Sequence, residues 1–116
     1  MSLIAHQNGR RYKALVTITA GVPIFVASKA EPILADHVFI QMLHGGSGRG
    51  LVYNDVPIGT LPAGVALMDG PVELAAATAD NPGGSYEDSG IIDIRQIAID
   101  GVNTGDKVWL DAHLKF

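Results

Sequence analysis

Four histidines, His6, His37, His44 and His113, are the side chains of this sequence best suited to binding a metal or moving a proton. A cupin-type barrel holds iron or zinc with a His-x-His pair and a nearby acid on one strand, so that the imidazoles share a face. His37 and His44 are seven apart, which sends them to opposite faces of an ideal strand and leaves them at its ends. The spacing predicts capping or turn histidines, with no metal and no cofactor. The loop His44-Gly-Gly-Ser-Gly-Arg-Gly50 offers consecutive amides, as a phosphate cradle does, yet it lacks the Lys-Ser/Thr pair of a P-loop and no helix follows. It reads as a hairpin turn. Ser47 lies between glycines and outside any strand-to-helix elbow, so a serine nucleophile is not expected. Asp80, Glu87, Asp88 and Asp93 crowd one region without the spacing of a calcium loop, and they read as a solvated acidic loop. With no cysteine, disulfides and thiolate chemistry are excluded.

What remains is chemistry of contact. Trp109 is the only tryptophan, and it falls on the polar side of Lys107-Val-Trp-Leu-Asp-Ala-His-Leu-Lys-Phe116. There an indole is covered either by a loop or by another subunit. In the same segment Val108, Leu110, Ala112, Leu114 and Phe116 form the dry side of a strand. Charge is divided along the chain: residues 1–30 hold Arg10, Arg11, Lys13 and Lys29 and no acid, whereas residues 31–116 hold four basic and twelve acidic residues. A basic amino-terminal arm over residues 1–11, on an acidic body, is suited to an acidic neighbour. Arg10, Arg11, Tyr12, Lys13, Trp109 and Phe116 are therefore the candidate interface residues. Four charges are too few for a nucleic-acid binder, which carries a domain-wide basic excess. Charged residues make up 17% of the chain, against about 25% in soluble domains, so the surface is unusually neutral.

The elements that must position these residues are strands. No window keeps a clean 3.6-residue apolar period, and strand signals recur between Gly, Pro, Asn and Asp clusters. Tyr12–Ala20 alternates, with threonines on its wetter side; Val22–Ser28 is extended, with Pro23 confining it to an edge or a strand start. Residues 30–35 allow at most one helical turn. His37–His44 carries apolar residues on both sides and predicts a strand buried on both. Leu51–Tyr53, Val65–Met68, Val72–Ala76, Ile91–Ile99 and the carboxy-terminal segment complete the set, with hairpins across residues 45–50 and 100–106 and an exposed loop over residues 78–90. The expected fold is all-β: one domain over residues 1–116, a β-sandwich or jelly roll of about eight short antiparallel strands with an extended N-terminal arm. No stretch reaches the roughly 18 apolar residues of a membrane span. The first residues place their positive charges after a short apolar part, the reverse of a secretory signal, so synthesis in the cytoplasm is expected.

The order of several segments carries a resemblance: Gly21-Val-Pro-Ile, Val38-Phe-Ile-Gln-Met-Leu, the Gly/Ser loop before Gly50-Leu-Val-Tyr, Leu61-Pro-Ala-Gly-Val-Ala-Leu, Asp93-Ile-Arg-Gln-Ile-Ala-Ile-Asp-Gly and Gly105-Asp-Lys-Val-Trp-Leu. Together they resemble the small all-β head decoration, or cement, proteins of tailed bacteriophages, over most of residues 20–116. The resemblance implies a non-enzymatic virion structural protein on the capsid exterior. It implies two partners, the chain itself as a dimer or trimer and a major capsid protein. Two other readings stay open: a receptor- or carbohydrate-binding module of a phage tail, with a glycan site in the loops at 45–50 and 78–90, and a small cupin-like enzyme.

Overall fold

Alternation of small apolar and polar residues gives a strand one dry face, and two such faces must be laid against each other to stay dry. The computed structural model, which describes residues 10–54, 56 and 72–115, does this with eight strands. They are β1 (Arg11–Thr17), β2 (Ile24–Phe25), β3 (Leu34–Met42), β4 (Gly50–Tyr53), β5 (Val72–Leu74), β6 (Ser85–Asp93), β7 (Ala98–Gly101) and β8 (Lys107–Leu114). One sheet runs β1-β8-β3-β6 and the other β2-β7-β4-β5, with every pairing antiparallel. The pairings nest, β1 with β8, β2 with β7, β3 with β6 and β4 with β5, as if one long hairpin had been rolled up. That order is the jelly-roll form of a β-sandwich.

The core is aliphatic. Val16 and Ile18 from the first segment, Val38, Ile40 and Met42 from β3, and Val108, Leu110 and Ala112 from β8 face Val52, Leu74, Ile97 and Ile99 of the other layer. β8 realises the expected alternation, with Val108, Leu110 and Ala112 buried and Trp109, Asp111 and His113 half-buried on the other side. β2 is an edge strand preceded by Pro23, where a missing N–H costs no ladder bond.

Several expectations are corrected. Residues 85–90 belong to β6 and not to a loop. Among the described residues β6 is an edge strand that pairs only with β3, so its residues can be polar and still complete a ladder. Near Gly90 (φ 134°) its pairing with β3 shifts, so that the pairs Ala35–Ile92 and His37–Ser89 bracket a bulge. The loops at 45–50 and 100–106 are not hairpins, because each joins strands of different sheets. They are crossovers bound to one another: Asp106 Oδ2 accepts from Gly48 N at 2.8 Å, and Arg49 O accepts from Val102 N at 3.1 Å. The segment expected as one strand over Ile91–Ile99 is split by a 3-10 turn at Ile94–Gln96, which carries the chain from one sheet to the other. No helical turn forms at 30–35; Leu34 and Ala35 already belong to β3. β3 itself is fully buried on one side only, since His37, Phe39 and Gln41 remain half-buried. The strand expected at Val65–Met68 lies outside the described residues.

Asp93 caps the 3-10 turn and ties three segments together. Its Oδ1 accepts from Arg95 N at 3.1 Å and from Ile33 N at 3.3 Å, and its Oδ2 accepts from Arg95 Nη2 at 2.8 Å. Arg95 Nη1 donates onward to Ala30 O at 3.0 Å. Burial pushes the Asp93 carboxyl up, but the hydrogen bonds from Arg95 and Ile33 outweigh it and hold the carboxyl below its usual range. A carboxylate with a depressed folded-state pKa stabilises the fold above its unfolded value and loses that contribution as pH falls through the folded one. Asp93→Asn is expected to lower the melting temperature by several degrees at neutral pH, and the gap from wild type should narrow as the pH falls below about 4. Thermal melts across pH 2–7 check this, and a gap that does not depend on pH would assign Asp93 a purely geometric capping role.

Candidate interaction surface

Because side chains alternate, the register of the first sheet dictates which residues share its outer face. Reading across β1, β8, β3 and β6, one row is Arg11, His113, His37 and Ser89. The next is Lys13, Asp111, Phe39 and Glu87, and the third is Leu15, Trp109, Gln41 and Ser85. Three candidates from the sequence, Arg11, Lys13 and Trp109, thus come together on one face. Tyr12 does not join them: it points to the inner side, packs against the core and donates its hydroxyl to Val26 O at 3.2 Å. Arg10 is exposed just before β1. Arg11 opens β1, so the arm expected over residues 1–11 overlaps the sheet at its last residue; residues 1–9, His6 and Phe116 lie outside the described residues.

The face combines a small apolar strip with ion pairs. Leu15 is 54% exposed and sits directly opposite Trp109, where the alternation of β1 calls for a polar side chain. Arg11 Nη1 lies 3.0 Å from Asp111 Oδ2, while Asp111 Oδ1 is buried with no hydrogen-bond partner among the described residues. His37 Nε2 lies 3.0 Å from Glu87 Oε2, and His113 Nδ1 lies 2.7 Å from Asp36 Oδ1. The hydrogen bond to His113 holds the Asp36 carboxyl below its ordinary range. His37 and His113 are register partners on adjacent strands, each turned to its own carboxylate. Among the described residues no three of His, Asp and Glu converge as metal ligands. On this face the basic residues Arg11 and Lys13 lie on β1, and the acids Asp111 and Glu87 lie on β8 and β6.

A groove of about 640 Å³ opens where Tyr12 and Leu114 meet the segment 29–34. Ile33, Leu34 and Leu114 are its half-buried apolar part, and Arg10, Lys29 and Glu31 are exposed around it. Sequence reasoning missed Leu15, Phe39 and Glu87. Leu15 was detectable as an apolar residue on the threonine side of its strand, whereas the other two need the register.

The fold and this face define a small β-sandwich whose candidate contact surface is the outer side of one sheet. No family model, no curated protein and no solved structure matches the chain.

Proposed function

We propose that this chain is a non-enzymatic virion structural protein, a decoration or cement protein that binds the exterior of a tailed-phage head and stabilises its lattice. Its partners are further copies of itself and a major capsid protein. The carrying observation is the outer face of the first sheet, where Arg11 and Lys13 adjoin exposed Leu15 and half-buried Trp109. An apolar centre with an aromatic anchor and a charged border is the composition of a protein–protein contact. The segment order described above supports the same reading. The test is co-sedimentation of the purified chain with empty phage heads. Reversing Arg10 and Arg11 to glutamate is expected to lower occupancy about tenfold at sub-saturating protein. Wild-type occupancy in a variant that melts normally would remove the basic residues from the contact.

A second reading has one observation in its favour. Gly45 N donates to Thr78 O at 2.8 Å, so the loops at 45–50 and 78–84 meet at one end of the sandwich, where a tail module would bind a glycan. A glycan array separates the two readings: specific retention that survives the charge reversals supports the tail module.

A further inference from the structure

We infer that copies of this chain join head to tail, the open edge of β1 in one copy adding to the open edge of β6 in the next. The inference rests on the self-association named in the proposed function and specifies its surface. Among the described residues both strands end the sheet β1-β8-β3-β6, and an edge strand leaves a row of N–H and C=O groups that another strand can pair. β1 is antiparallel to β8, β8 to β3 and β3 to β6, so a second copy placed alongside in the same orientation presents its β1 antiparallel to β6. The outer faces then stay on one side and the two core sides on the other.

Charge selects this pairing over its rivals. The β1 edge carries Arg10, Arg11 and Lys13, and the β6 edge carries Glu87 and Asp88, all exposed. Two β1 edges related by a twofold axis would set basic residues against basic ones, and two β6 edges would set acids against acids; like charges directly opposite destabilise a sheet. Only the heterologous pair opposes unlike charges. Geometry sets the register as well. The pairing of β6 is regular over Ser85–Ser89, before the bulge at Gly90, and Arg11–Leu15 supplies a run of equal length. Setting Lys13 opposite Glu87 places Arg11 opposite Ser89 and Leu15 opposite Ser85, and keeps every residue on its own face. A heterologous contact of this kind closes into a ring or extends as a filament.

The experiment is sedimentation velocity of the full chain without phage heads, over a wide range of concentration. One variant is Arg10→Glu/Lys13→Glu and the other is Glu87→Lys/Asp88→Lys, both of which spare the Arg11–Asp111 pair. Wild type is expected to assemble beyond a monomer, and each variant alone to associate about tenfold more weakly. An equimolar mixture should regain wild-type assembly, since the acidic β1 edge of one variant then meets the basic β6 edge of the other. Melting curves establish that each variant is folded. A wild type that stays monomeric, a variant that assembles unimpaired by itself, or a mixture that fails to recover overturns the inference. A monomer that nevertheless binds heads would sink this contact and leave the cement reading standing.

Discussion

Replacing Leu110 by alanine is expected to lower the stability of the fold by about 3–5 kcal/mol and its melting temperature by roughly 10–20 °C. Leu110 is fully buried in β8, a central strand, and its register partners are Ala14 on one side and Ile40 on the other. Ala14 is too small to move into the space, and Ile40 is itself fully enclosed, so the vacated volume stays largely a cavity. The loss is then the transfer free energy of the removed methyls plus the cavity term. Leu15→Ala is the matched control. Leu15 lies on β1 one row from Ala14 but on the outer face, 54% exposed, and its truncation should cost under about 1 kcal/mol. Denaturant unfolding of the two variants measures the sidedness of the first sheet directly. Equal losses, or the larger loss at Leu15, would mean that the register of β1 against β8 is off by one residue.

That sidedness is also where the sequence was most readable. β8 states its own burial, because Val108, Leu110 and Ala112 alternate with Trp109, Asp111 and His113, and the structure buries the first set. β6 states almost nothing. Its first six residues, Ser-Tyr-Glu-Asp-Ser-Gly, resemble a loop because an edge strand with one partner gains its order from a ladder to β3 and not from burial. The glycine loop at 45–50 announced a turn correctly, but local composition does not say whether the next strand pairs with the last one or crosses to the other sheet. That choice is made by the whole set of nested pairings. The same limit applies to the site. Residue type and charge single out Arg11, Lys13 and Trp109 individually, whereas their meeting with Leu15, Phe39 and Glu87 depends on three registers that no local window contains. Tyr12 shows the reverse error: chosen as an amphipathic ring, it is turned inward by the alternation of the strand that places Arg11 and Lys13 outside.

Gly83→Ala is expected to cost about 3 kcal/mol, the upper part of the range for overpacking a close-packed site. A Cβ at Gly83 would run into the carbonyl oxygen of Ala75 and stand 2.8 Å from Met42 Cβ and 2.9 Å from Ala77 N. Two of those obstacles are backbone and cannot swing aside as a flexible side chain would. The surrounding hydrogen bonds would be strained by any shift: Gly83 N donates to Met42 O at 2.9 Å, Gly84 N to Ala75 O at 2.9 Å, and Met42 N to Gly84 O at 3.1 Å. Gly21→Ala makes the comparison clean. Gly21 has a left-handed backbone, φ 79°, with nothing within 4 Å of an added Cβ, so it should lose only about 1 kcal/mol, from backbone strain. The site at Gly83 also matters for the surface, because it fixes the root of β6, which carries Glu87 and Asp88. Hydrogen exchange over Ser85–Ser89 is therefore expected to quicken in Gly83→Ala by more than the global loss of stability accounts for, since among the described residues β3 is the one strand that pairs with β6. Exchange that quickens equally in all strands would instead make Gly83 a general packing position, with no special hold on the acidic edge.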